Sequence, residues 1–263
     1  MEWAEIIVLI VAGLMVGFIN TLAGGGSIIS LSVLMLLGLP APMANGTNRI
    51  AITIQTLTAT ASFRQQKVLP LRKAVLLSIP AILGSVIGAW IAVDINEAIL
   101  EKAIGVIMLI MLVFILYKPQ KYIYGRADII EKPLNWKCYL IFFFIGIYGG
   151  FLHMGVGYFL LMGIVLGAGF DLVKGNAVKV FIVLAYAPFT LLVFIYNDLI
   201  NWQYGLVLAI GNVVGAFVAS RLAVSKGVVF VKWVIVIVVL ITAADMFGLY
   251  DVKSLFAALL NKE

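Results

Sequence analysis

The residues best suited to chemistry gather around two glycine clusters. The first, Gly24-Gly25-Gly26, follows Asn20 and precedes Ser27, Asn45, Thr47, Asn48 and Arg49. The second, Gly155-Val156-Gly157, follows His153 and precedes Asn176 and Lys179. Each cluster opens an apolar run, residues 28–37 and 158–166, that is too short to cross a bilayer, which takes about 20 helical residues. Glycine in a helix costs up to about 1 kcal/mol relative to alanine. A helix break is therefore expected at each cluster, with close helix packing through small residues as the alternative. Short, glycine-interrupted segments are the mark of broken helices around a transporter site. The start of such a helix offers unpaired backbone N–H groups and about half a positive charge, which suits a desolvated anion. Candidate anion ligands are Asn20, Gly24, Gly25, Gly26, Ser27, Asn45, Thr47, Asn48, Gly155, Gly157 and Asn176. The competing role for the polar ones is capping and interhelical hydrogen bonding.

Two cations complete the set. Arg49 lies near the start of an expected span, residues 47–63, whose length of roughly 25 Å puts the arginine in a recess or beside the interface. An arginine there either serves function or snorkels to the surface. Lys179 is a weaker, pseudo-symmetric partner. His153 is a candidate proton carrier, although a lone histidine is more often a hydrogen-bonded packing residue.

These residues must be carried by membrane helices. Of 263 residues, 64% are apolar and 11% charged, against about 45–50% and 25% in soluble domains. That balance excludes a soluble enzyme. The net charge of +6 is not gathered into a basic stripe with aromatics, so no nucleic-acid partner is expected. One cysteine, Cys138, and one histidine leave no Cys-based metal site and no histidine cluster. With few buried acids only a serine–lysine arrangement is conceivable and no motif marks one, so neither an enzyme nor a cofactor is expected. Besides the short runs, spans are expected at residues 6–22, 47–63, 71–93, 100–117, 138–153, 180–195, 202–224 and 228–247. Glu2 and Glu5 stand where the basic region of a signal peptide would be. Trp136, Trp202 and Trp233 read as interface anchors. The chain divides into a first transmembrane repeat (1–117), a polar linker (118–137), a second repeat (138–248) and an amphipathic tail (249–263).

The charges sort by loop. Arg64, Lys67, Arg72 and Lys73 share one connection, Lys118, Lys121, Arg126, Lys132 and Lys137 the linker, and Arg221, Lys226 and Lys232 a third. The positive-inside rule turns all three to the cytoplasm and leaves both termini outside. Laying the second half on the first pairs Gly24 with Gly155, Gly26 with Gly157, Gly38 with Gly169, Asn45 with Asn176 and Gly84 with Gly215, each 131 apart. The first repeat starts outside and the second inside. The expected fold is therefore an all-α polytopic membrane protein of two inverted-topology repeats. Each repeat holds a glycine-broken helical hairpin and three transmembrane helices.

The stretch from Gly17 through Asn20, Gly24, Gly25, Gly26 and Ser27, then Gly38-Leu39-Pro40, then Ala44 to Arg49, resembles the sulfite exporter TauE/SafE family. The second-half echo runs from Gly149-Gly150 through Gly155 and Gly157 to Asn176 and Lys179. It departs from the family pattern at Tyr158, where a third glycine is common, and at Val178, where a small hydroxyl residue is common. The resemblance implies a secondary transporter that exports small anions such as sulfite or organosulfonates. The expected mechanism is alternating access, in an integral protein of a prokaryotic inner membrane, with the bilayer as its surroundings and a homo-oligomer compatible with it. An anion channel on the same fold is the alternative, and a membrane-embedded enzyme a more distant one.

Overall fold

A computed structural model of the chain describes residues 1–95, 99, 130 and 134–246. The expected span at 100–117, most of the linker and the tail lie outside these residues. All regular structure among the described residues is helical. In order it comprises α1 (Trp3–Leu22), α2 (Ser27–Leu36), α3 (Ala41–Gln65), α4 (Leu71–Asp94), α5 (Trp136–Phe151), α6 (Val156–Gly163), a π-helical turn (Ile164–Ala168), α7 (Leu172–Tyr196) and α8 (Trp202–Met246). α8 joins the two spans expected at 202–224 and 228–247, and only Gly227 inside it departs from helical geometry.

Both glycine clusters interrupt helices. α1 ends at Leu22, Gly24 takes a left-handed φ of +100°, and α2 begins at Ser27. α5 ends at Phe151, and Gly155 at φ +67° starts α6. Left-handed φ is accessible to glycine at no steric cost. The left-handed positions also recur at one spacing: Gly24 with Gly155, Gly38 with Gly169, and Lys67 with Asp198, 131 apart in each case (198 − 67 = 131).

Two starting points differ from expectation. The helix expected from Thr47 begins at Ala41, set by Pro40 at the N-cap and Pro42 in the first turn, where a missing N–H costs nothing. Arg49 is therefore the ninth helical residue, two turns inside and fully buried, not at the recessed start of a short span. Asn45 and Thr47 likewise lie inside the helix and do not start it. The helix expected from Val180 begins at Leu172, because the Asp171 carboxylate accepts from the N–H groups of Val173 and Lys174, both at 2.9 Å. Apolar runs alone do not reveal these polar first turns.

Among the described residues four helices are long and apolar enough to cross a membrane: Trp3–Leu22, Leu71–Asp94, Leu172–Tyr196 and Trp202–Gly227. α3 has the same 25 residues as α7, roughly 37 Å of helix, but carries Asn45, Asn48, Arg49, Gln55 and a series of hydroxyl residues. α1 packs on α8 and α4 on α5, while α3 and α7 pack on each other and each also on one outer helix. Glycines permit the close crossings: a Cβ on Gly215 would overlap the Leu14 carbonyl, and one on Gly84 the Phe143 carbonyl. Small residues at such crossings let backbones approach where lipid supplies no hydrophobic driving force.

Candidate functional site

The two breaks meet at the centre. A Cβ on Gly24 would overlap the Gly157 Cα, and one on Gly157 the Gly24 Cα. Beside this contact lies a small cavity of about 20 Å³, lined by Asn20, Gly24, Ile52, Gln55, Thr56, His153, Val156, Gly157, Lys179, Val180 and Val183. α1, α3 and α7 supply most of the polar lining. Four of the expected ligand positions, Asn20, Gly24, Gly157 and Lys179, are thus brought together with His153, the candidate proton carrier.

Lys179 is the charged side chain in that lining. Its ammonium donates to the Thr21 carbonyl at 3.0 Å and to Asn176 Oδ1 at 2.6 Å. Thr21 stands in the last turn of α1, where carbonyls lack helical partners and the macrodipole favours a cation. Asn20 Nδ2 donates to Ser27 Oγ at 3.2 Å and reaches Gln55 Oε1 at 3.5 Å, which also accepts from Asn212 at 3.3 Å. His153 Nδ1 is 2.9 Å from the Tyr186 hydroxyl.

Arg49 is elsewhere. Its guanidinium donates to the carbonyls of Gly149 at 2.6 Å and Gly150 at 2.7 Å, and to Asn45 Oδ1 at 3.2 Å. Asn45 Nδ2 donates to the Phe151 carbonyl at 2.8 Å. Phe194 closes the arrangement, its ring centroid 5.4 Å from the guanidinium carbon. Arg49 and Asn45 therefore satisfy the carbonyl end of α5, as Lys179 does that of α1. The helix end in each half is capped by an asparagine–cation pair from the other half, or by the cation of that pair.

The remaining expected residues divide. Ser27 opens α2, and Gly155 caps α6. Gly25 faces the Tyr158 ring, and Gly26 packs on α1 near Asn20. Thr47 Oγ1 accepts from the Asn201 N–H at 2.9 Å, joining α3 to the start of α8. Asn48 is fully buried with neither side-chain atom hydrogen-bonded, and Asn176 Nδ2 is also without a partner. Sequence reasoning missed Gln55, Thr56 and Tyr186. Gln55 follows Asn48 by seven residues on α3, a spacing that puts both on one helix face. Among the described residues no group of acids, histidines and cysteine could hold a metal ion.

Comparison with known proteins agrees with this architecture. The profile of the sulfite exporter TauE/SafE family matches residues 9–246. The chain is 28% identical over 232 residues to a probable membrane transporter protein, ORF9, of Sinorhizobium, covering 88% of this chain and 87% of that one. It is 27% identical over 246 residues to a probable membrane transporter protein of Haemophilus influenzae, covering 93% and 94%. With the probable membrane transporter protein YfcA of Escherichia coli it shares 28% identity over 245 residues, covering 93% and 89%. No solved structure matches. A helical membrane protein with its broken helices facing a buried polar cavity, the chain belongs to the sulfite exporter TauE/SafE family.

Proposed function

We propose that this membrane transporter moves small sulfur-containing anions, sulfite or organosulfonates, out of the cell across the cytoplasmic membrane. The observation that carries the reading is the cavity beside Gly24 and Gly157, where Lys179, Asn20, Gln55 and Thr56 converge. One cation and several neutral donors, with no carboxylate in the lining, suit a singly charged or small divalent anion. Glycines admit the anion to the backbone at the starts of α2 and α6. Lys179 is the anion's countercharge, and Arg49 with Asn45 positions the break by fixing the end of α5.

The transport cycle is alternating access between two inverted repeats, with both termini outside. The recurrence of left-handed positions at one spacing supports this reading. So does the exchange of packing partners, α1 on α8 and α4 on α5. In the present conformation Gly24 and Gly157 touch, and rocking one repeat against the other would part them on alternate sides.

The test is flux into proteoliposomes. Sulfite and short sulfonates should show saturable uptake stimulated by the same anion on the opposite side. Unitary currents without such counterflow would replace the transporter with a channel. Flux of none of these anions would remove the substrate class.

A further inference from the structure

The Tyr158 hydroxyl is enclosed in protein and has no hydrogen-bond partner. Tyr158 is the third residue of α6, and its phenol end lies over Gly25, just before α2. A Cβ on Gly25 would come within 2.6 Å of the hydroxyl oxygen and 2.8 Å of the ring. The first helical bonds of α2 run from Ile28 N to the Gly25 carbonyl at 3.4 Å and from Ile29 N to the Gly26 carbonyl at 2.9 Å. The N–H groups before them belong to the open, electropositive end of the helix. Gly24 and Gly157 line the cavity, and the Gly25–Tyr158 contact is one residue further along each strand of chain. An unpaired hydroxyl is costly in a membrane interior, where no bulk water replaces the missing partner.

We propose that Tyr158 is an anion ligand: its hydroxyl donates to an oxygen of the anion seated at the Gly25 end of α2. The inference rests on the anion reading above and deepens it. The equivalent position in the first half is Ser27 (158 − 27 = 131), whose hydroxyl already accepts from Asn20. The second half thus contributes a hydroxyl with no protein partner where the first contributes one already bonded to Asn20, and the site is asymmetric about its own pseudo-symmetry. The anion gains a neutral donor that adds no charge to be desolvated between visits.

Tyr158→Phe keeps the ring and removes only the donor. The measurement is calorimetric titration of the purified full-length protein with sulfite and with methanesulfonate, together with the melting temperature in the absence of either. Affinity should fall by about tenfold or more, the loss of one hydrogen bond to a charged acceptor. The anion-free melting temperature should hold or rise, because the buried hydroxyl has nothing to lose. Unchanged affinity in Tyr158→Phe, with wild-type protein binding normally, overturns this assignment and leaves the anion reading standing. A lower anion-free melting temperature also overturns it, by revealing a protein partner for the hydroxyl. Failure of the wild-type protein to bind either probe removes the anion reading, and this assignment with it.

Discussion

Gly24 and Gly157, 133 residues apart in the chain (157 − 24 = 133), stand backbone to backbone, so that a side chain on either would occupy the other's Cα. Gly24 also holds a left-handed φ of +100°. The contact joins the two helix breaks and forms one wall of the cavity. It ties a local backbone requirement to the wall of the proposed anion site.

Gly157→Ala should force the tips apart. Overpacking of this kind costs about 1–3 kcal/mol, and Gly24→Ala adds the strain of a left-handed alanine. Both variants should still enter the membrane, melt several degrees lower in detergent and lose most anion flux. Normal flux in both would reduce the contact to a packing detail.

Arg49→Gln should damage the fold more than the ligand affinity. It removes two bonds from a charged donor to the Gly149 and Gly150 carbonyls, each worth about 1.5–3 kcal/mol, and leaves those carbonyls buried. Arg49→Lys should recover only part, since an ammonium lacks the planar fork that spans both oxygens. Thermal melting beside anion titration separates the two effects. Loss of affinity with no loss of stability would return Arg49 to the list of direct ligands.

Lys179→Gln should behave the opposite way. The Thr21 carbonyl and Asn176 Oδ1 each lose a donor, so one helix-end carbonyl is left without its cation instead of two, while the cavity loses its charged lining residue. Sulfite affinity should drop by about tenfold or more, at about 1.4 kcal/mol per decade. Equal affinity in Lys179→Gln and wild type would show that the helix starts alone hold the anion.

Sidedness can be tested with single cysteines in a Cys138→Ser background. Arg64 and Asp198 are both exposed, at the ends of α3 and α7. Arg64→Cys should be shielded from an impermeant thiol reagent outside intact cells, and Asp198→Cys should react. The reverse pattern would overturn the orientation; reaction of both from one side would overturn the inversion.

The sequence by itself determined that this is a helical membrane protein and where its helices break. Apolar content excludes a water-facing surface, and clustered glycines are costly in a continuous helix, so both features are local and additive. Asn20, Gly24, Gly157 and Lys179, which line the cavity, were legible as candidates for the same reason: polar or glycine positions stand out in an apolar chain. Only the tertiary structure decided which cation faces the cavity. That choice depends on how α3 and α7 are turned by their packing, which brings Arg49 to the end of α5 and Lys179 to the end of α1 beside the cavity. On α5 it depends on which carbonyls come within reach of Arg49. The carbonyls that Arg49 holds lie 100 and 101 residues away. No spacing within α3 reveals them, because a helix end presents its unpaired carbonyls to whatever packing brings near. Gln55 stayed hidden for a related reason. It is an ordinary residue within its own helix, and its hydrogen bonds to Asn20 and Asn212 arise where α1, α3 and α8 meet.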